Sequence, residues 1–182
     1  MPGLQKLDIS GHSYDNALAS LEGISRAGHL KALSISGASP ELDLSPLCEA
    51  LPDLEELSVD SRLTEVRGLG GLSNLRYLSL VGDDTAPTSL ATLGSLPRLE
   101  EVDLACFHSL DGLQSAPGIR ILRWGLPSAG ALLDCAALTH LPNLQEITVV
   151  RNDYGTEGGR AAQEITQRIK QLCPKAKVEL HG

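Results

Sequence analysis

Aliphatic residues recur along the chain in a Leu-x-x-Leu-x-Leu pattern, with polar residues in most of the intervening positions. Counted from the first aliphatic position of each unit, the pattern begins at residues 4, 30, 54, 75, 99, 119 and 144. The steps between these starts are 26, 24, 21, 24, 20 and 25 residues. All three marked positions are apolar in every unit, which a chain with 42% hydrophobic residues would not achieve by chance. The pattern therefore predicts seven structural repeats.

Each unit predicts a short β-strand, because alternate residues of an extended chain point to the same face. A proline stands two residues before the start of five units, at positions 2, 52, 97, 117 and 142, and Pro174 precedes a shortened eighth unit that begins at residue 176. Proline fixes φ and lacks an N–H donor, so it ends the preceding turn and begins an extended segment. Since the chain makes a full turn between strands, we expect successive strands to pair in parallel.

The segments between strands vary in length, and two of them carry apolar residues at helical spacing. Segments 45–51 and 89–96 each predict one or two helical turns on the convex side. A longer amphipathic segment, from Arg160 to Cys173, predicts a helix of about three to four turns. Together with a final short strand, this helix is predicted to form a C-terminal cap over residues 159–182.

On these features the chain resembles the leucine-rich repeat proteins over essentially its whole length. The resemblance implies a single α/β domain, residues 1–182, with the fold of a horseshoe-shaped solenoid. Its concave side would be a parallel sheet of seven or eight short strands, and its convex side irregular or short-helical. Many members of the family carry Asn eight residues after the unit start, whereas here only Asn152 does. We therefore expect the turns after the strands to be held differently from unit to unit.

The style of the repeats resembles a particular branch of this family. Leu-x-x-Leu-Pro junctions and the segment 43–47 are similar to the C-terminal repeats of bacterial nucleotide-binding leucine-rich-repeat (STAND NTPase) receptors. The resemblance implies the ligand-sensing part of a larger intracellular receptor, a sensor domain of innate immunity. A free-standing scaffold or inhibitor, for example one that neutralises a toxin, is the first alternative. The unit at 102–113 also resembles repeats of F-box-associated proteins, which implies a substrate adaptor of a ubiquitin ligase.

The two ends of the repeat array differ. The C-terminal end carries the predicted cap, whereas residues 1–4 match the interior junctions at 51–54 and 141–144. A solenoid exposes its core at any end that is not capped. We therefore expect the N-terminal end to continue into, or to pack on, another domain or chain.

Composition narrows the class of partner. The net charge of −8 argues against nucleic acid and against an anionic membrane, and favours a protein partner with a basic or neutral surface. No stretch approaches the roughly 18 apolar residues of a membrane span, and the N-terminus is not a signal peptide, so we expect a cytoplasmic protein. The four cysteines are far apart and form no Cys-x-x-Cys pair. Reduced and mostly buried thiols are therefore expected.

No motif of the chain predicts catalysis, a metal or a cofactor, and we expect the protein not to be an enzyme. Cys106 and His108 are close in sequence but have no third residue to orient a base. The segment 68–71 is rich in glycine but lacks the Lys-Ser/Thr of a phosphate-binding loop, so tight turning explains it better. Two adjacent carboxylates, Asp83 and Asp84, are too few for a hard cation and predict a solvated loop.

The polar positions within the strands predict the working surface, since they point away from the core onto the concave sheet. One column is small and polar for most of its length, and beside it a mostly acidic field surrounds Tyr77. A basic segment anchored by this aromatic ring is the predicted partner element. The alternative is that short polar residues only keep an exposed sheet soluble. The predicted concave binding residues are Asp8, Glu56, Ser58, Asp60, Tyr77, Ser79, Glu101, Asp103, Arg123 and Glu146.

Loops at the rim of the sheet add weaker candidates. Those predicted to contact a partner are Arg62, Asp83, His108, Arg151 and Tyr154, together with His12 and Tyr14. Trp124 occupies a core-facing position, so we expect it to be buried rather than to contact a partner.

Overall fold

The computed structural model describes residues 3–11, 17–85, 87–128, 133–151 and 156–182, with only the backbone described at 156–158. These residues contain an eight-stranded parallel sheet in which the strands lie in sequence order, as the repeat pattern predicts. The strands are β1 (Lys6–Ser10), β2 (Ala32–Ser36), β3 (Glu56–Leu63), β4 (Tyr77–Gly82), β5 (Glu101–Ala105), β6 (Ile121–Gly125), β7 (Glu146–Val150) and β8 (Lys177–His181).

Successive turns are held together by a hydrogen-bond arrangement that recurs where each strand begins. The carbonyl of Lys31 accepts the N–H groups of Glu55 and Glu56, at 2.8 and 2.9 Å. Two turns later, the carbonyl of Arg76 accepts two N–H groups in the same way. The carbonyls that accept pairs of N–H groups are those of Gln5, Lys31, Glu55, Arg76, Glu100 and Arg120. This arrangement fixes the register of the sheet and stacks equivalent residues of successive units directly beside one another.

The aliphatic positions of the pattern form one continuous core. Leu54, Leu57 and Leu78 are fully buried, as are the equivalent residues of most other units. Burying each such side chain contributes about 1.5–3 kcal/mol. Trp124 is also fully buried, which confirms the prediction, and its Nε1 donates a hydrogen bond of 2.8 Å to the carbonyl of Phe107.

The convex side is made of short helical segments and turns. The predicted helix in 45–51 is confirmed as α1 (Pro46–Ala50). The described 3-10 helices are Ile24–Ala27, Leu69–Gly71, Leu113–Ser115 and Ala136–His140.

The predicted helical turns at 89–96 are wrong, because this segment is held by bonds to the turn before it. Ser89 forms an isolated parallel bridge with Glu65. The hydroxyl of Thr92 donates to the carbonyl of Val66 at 2.7 Å. Side-chain bonds of this kind compete with helix formation.

The longest helix, α2 (Thr156–Leu172), begins four residues before the predicted start at Arg160. Two glycines therefore lie inside it, although glycine is unfavourable in a helix interior. At Gly159 a Cβ would lie 2.8 Å from an Arg151 guanidinium nitrogen, so a larger residue there would require the flexible Arg151 side chain to move. The predicted apolar face is buried at Ala162, Ile165 and Ile169.

The C-terminal end is less completely covered than the sequence predicts. Helix α2 packs on β7 and β8, but Leu180, at a core-facing position of β8, is 36% exposed. The reason is that β8 is the edge strand of the described sheet, so no further strand lies against it. None of the described helices is long and apolar enough to cross a membrane.

The expectation of mostly buried thiols is also wrong. Only Cys135 is buried, whereas Cys48, Cys106 and Cys173 are half-buried, and none of the four forms a disulfide. Burial raises the pKa of the Cys135 and Cys173 thiols, which keeps them protonated at neutral pH.

Close stacking of the turns predicts that Gly112→Ala destabilises the protein more than Gly23→Ala. Both glycines have positive φ, so alanine at either position costs about 1–3 kcal/mol of backbone strain. A Cβ at Gly112 would also lie 2.1 Å from the carbonyl oxygen of Leu90, whereas at Gly23 nothing lies within 4 Å. We expect this contact to add about 1–3 kcal/mol to the loss of unfolding free energy, measured in urea. Equal losses for the two variants would contradict the close-stacking explanation.

Candidate partner-binding surface

The register of the sheet arranges the outward-facing side chains in rows that run across the strands. What we call the first concave row contains Lys6, Ala32, Glu56, Tyr77, Glu101, Ile121, Glu146 and Lys177. The second concave row contains Asp8, Ser34, Ser58, Ser79, Asp103, Arg123, Thr148 and Glu179. Neighbouring residues of a row are one strand spacing apart, about 4.8 Å.

At the centre of the first concave row, Tyr77 lies directly between Glu56 and Glu101. The tyrosine ring is half-buried, Glu56 is exposed and Glu101 is half-buried. Within the described part of the chain, neither carboxylate forms an ion pair and the tyrosine hydroxyl has no hydrogen-bond partner. An aromatic face flanked by two carboxylates can bind a cation.

The next residue of the row is apolar. Ile121 follows Glu101 on the adjacent strand, and its side chain is 36% exposed. The row therefore offers a hydrophobic contact beside the aromatic and acidic ones.

The second concave row is small and polar where it passes Tyr77. Ser58 and Ser79 are half-buried, and their short side chains leave the backbone of the sheet accessible. Farther along, Asp103 lies 3.7 Å from the guanidinium of Arg123, so its charge is partly neutralised. Thr148 points to the same face but is only 6% exposed.

The acidic field weakens toward the C-terminal edge, where basic residues accompany the carboxylates. Lys177 lies 2.8 Å from Glu179 and 4.0 Å from Glu146. Its hydrogen bond holds the pKa of Glu179 below the usual value, and Glu179 in turn raises the pKa of Lys177. His181 lies 3.6 Å from Glu179 on the same strand. The sequence reasoning did not place these β8 residues on the concave face, although the polar–apolar alternation of 177–180 was the available signal.

Three of the predicted rim residues come together at the ends of adjacent strands. Arg62 is the next-to-last residue of β3, Asp83 follows β4 and His108 follows β5. The pKa of Asp83 is lowered mainly by the N–H and hydroxyl of Thr85, and further by electrostatic interaction with Arg62 and His108. We call Arg62, Asp83, Asp84, His108 and Ser128 the strand-end cluster.

Asp84 gives this cluster a structural role that the sequence reasoning missed. Its carboxylate accepts hydrogen bonds from the hydroxyl and, at 2.6 Å, from the backbone N–H of Ser128. These bonds lower the pKa of Asp84, with smaller contributions from His108 and Arg62. Asp84 thus joins the loops that follow β4 and β6, although these bonds remain exposed to solvent.

A shallow groove borders the cluster at Arg62 and Asp60 and continues toward β1. Small and apolar residues line it, among them Ala38, Pro40 and Val81. The N–H of Ala38 donates to the Ser61 hydroxyl at 2.7 Å, which fixes one wall. The sequence reasoning did not find this groove, because its walls come from four different units.

The remaining rim candidates do not join the cluster. Arg151 is half-buried, lies beside Gly159 and Gly182, and donates its backbone N–H to His181 at 2.9 Å. Its predicted partner contact therefore competes with contacts inside the protein. Tyr154, His12 and Tyr14 lie outside the described residues.

The loop-joining role of Asp84 predicts that Asp84→Asn lowers the unfolding free energy at neutral pH. A loss of about 1 kcal/mol is expected, because hydrogen bonds to a charged group exceed neutral ones but solvent screens this site. Since the pKa is lowered in the folded state, the stabilisation is present above about pH 4 and disappears as the pH falls through the lowered pKa.

The measurement is the difference in urea stability between wild type and Asp84→Asn from pH 7 to pH 2. Asp43→Asn is the matched control, since the pKa of Asp43 is also lowered but its hydrogen bonds go to the nearby Ser45 and join no second loop, so its loss should be smaller. A difference that stays constant down to pH 2, or an equal loss in the control, would contradict the role of Asp84.

The fold occurs among solved structures. The chain is similar to an internalin C2 from Listeria monocytogenes str. 4b F2365, with a TM-score of 0.53 and 19% sequence identity. The similarity covers 94% of this chain and 80% of that chain. No protein-family model matches the sequence, and no curated protein is similar to it in sequence. The structural likeness, together with the eight-stranded parallel sheet, shows that the chain has the leucine-rich repeat fold.

Proposed function

We propose that this chain is a non-catalytic recognition module that binds a basic segment of a protein partner on its concave face. The observation that carries the proposal is the arrangement of Glu56, Tyr77 and Glu101 on three adjacent strands, with both carboxylates unpaired in the part of the chain that the structure describes. We call these three residues the central triplet.

The central triplet is suited to an arginine or lysine side chain. A cation over the face of a tyrosine ring gains about 0.5–1 kcal/mol at exposed sites and about 2 kcal/mol when desolvated. Glu56 and Glu101 flank that position, so the bound cation would lie near two negative charges. Ile121 would contact an apolar residue of the same segment.

The overall charge supports the same class of partner. A net charge of −8 attracts basic proteins over long distances, which raises the rate of association and makes it sensitive to salt. The serines of the second concave row leave room for the backbone of a bound segment.

The repeat style supports a finer proposal about context. The module would be the C-terminal ligand-sensing part of a larger cytoplasmic receptor of the nucleotide-binding leucine-rich-repeat type. The sequence encoded upstream in the native gene tests this. A Walker-type phosphate loop there would support the receptor, whereas a pair of F-box helices would replace it with a substrate adaptor.

Binding through the central triplet predicts that Tyr77→Ala and Glu56→Gln/Glu101→Gln each weaken binding of a fluorescent peptide of alternating Arg and Ser. We expect a loss of about tenfold or more for the double variant, because two unpaired carboxylates and their attraction to one cation are removed. Fluorescence anisotropy at low and high salt measures the affinity. Tyr77→Phe should bind like wild type, since it keeps the aromatic face.

The matched control is Glu146→Gln/Glu179→Gln, which changes the net charge by the same amount. Both control carboxylates already accompany Lys177, so their removal should change binding much less. Equal losses of affinity in the two double variants would mean that the peptide is attracted by the net charge of the protein and does not bind at the central triplet. Unchanged binding by Tyr77→Ala would move the site to the strand-end cluster or elsewhere.

A further inference from the structure

A second charged row lies one residue before the first concave row, at the edge of the sheet where the strands begin. Its charges alternate in sign from one strand to the next. This edge row contains Lys31, Glu55, Arg76, Glu100 and Arg120, and it ends at the neutral Gln145. The backbone carbonyls of the five charged residues each accept paired N–H groups, so the spacing of the row is fixed by the sheet.

The centre of the edge row is unpaired. At one end, Lys31 lies 2.6 Å from Glu55, and at the other, Arg120 donates to the side-chain oxygen of Gln145 at 3.1 Å. Arg76 and Glu100 lie on neighbouring turns, yet neither forms an ion pair among the described residues. Arg76 is exposed and Glu100 is half-buried.

The spacing of the row selects the kind of partner. Charges alternate about every 4.8 Å, the distance between strands of a sheet. An extended peptide presents the side chains of one face about 6.6–6.8 Å apart, so they cannot match the closer spacing of the charges in this row. Another sheet edge of the same kind matches the row over its whole length.

We propose that the edge row is the contact by which two copies of this chain associate about a two-fold axis. When the two-fold axis passes between Arg76 and Glu100, the edge rows of the two copies run in opposite directions. Residues of opposite charge then face each other across the interface. Arg76 faces Glu100 of the second copy, and Glu55 faces Arg120 of the second copy. Because of the two-fold symmetry, each of these pairs forms twice. This is the self-complementarity that a two-fold interface requires.

On one side of the row, Arg98 of one copy would face Asn74 of the other, although Arg98 already donates to its own Asn74 at 2.7 Å. On the other side, the same register would bring Lys6 of one copy opposite Lys177 of the other at the ends of the first concave row. The proposed contact is therefore limited to the edge row and leaves the central triplet free.

The association is expected to depend on concentration. Each copy carries a net charge of −8, so long-range repulsion opposes the local attraction. The inference rests on the edge row and is independent of the proposed binding of a basic segment.

Mixing two charge-reversed variants tests the interface. Arg76→Glu places Glu against Glu100 across the axis, and Glu100→Arg places Arg against Arg76. Each variant alone should therefore dimerise about tenfold or more weakly than wild type, because two symmetry-related pairs become repulsive. An equimolar mixture should associate again, since both pairs across the axis are then complementary.

Sedimentation equilibrium of the full chain measures these constants. Arg26→Glu, an exposed charge reversal elsewhere, is the control and should dimerise like wild type. The proposal is overturned if wild type stays monomeric at all concentrations, if either variant dimerises like wild type, or if the mixture does not associate while circular dichroism shows both variants folded. Binding of the Arg-Ser peptide by Arg76→Glu is a separate readout, so failure of the dimer and failure of the central triplet are distinguishable.

Discussion

The whole molecule depends on the hydrogen bonds by which one carbonyl at the start of each strand from β1 to β6 accepts two N–H groups of the next turn. Buried backbone groups must be paired, so these bonds leave a turn little freedom to slide along its neighbour. A slip by one residue would exchange the core face and the solvent face of a strand. The leucines of successive units therefore stack in columns, and so do the outward-facing residues.

Because the register is shared, residues far apart in sequence become neighbours in rows with different properties. The first concave row brings an aromatic ring between two carboxylates, and the edge row beside it alternates in charge. The core constrains only the apolar positions. The fold does not determine whether an exposed position carries a positive or a negative charge. An ordered charge pattern at exposed positions is therefore more informative about partners than about stability.

The sequence alone was sufficient for features that depend on local pattern. The strands, the burial of Trp124 and the outward-facing rows follow from the positions of apolar residues within each unit. It failed where the decisive contact comes from another unit. The segment 89–96 is held by Val66 of the previous turn, and Asp84 bonds Ser128, which is 44 residues away. Ion pairs such as Lys177–Glu179 depend on side-chain positions that the repeat does not specify.

The paired and unpaired carboxylates have different roles in this scheme. Exposed ion pairs contribute only about 0–1 kcal/mol each, so stability does not require Glu56 and Glu101 to be paired. On β8 the charges of Lys177 and Glu179 lie on an edge strand, where charged side chains discourage pairing with other chains. The carboxylates at the centre of the sheet protect no edge, and they flank a half-buried aromatic ring. The proposed recognition role would account for the tyrosine between them, which solubility alone does not require.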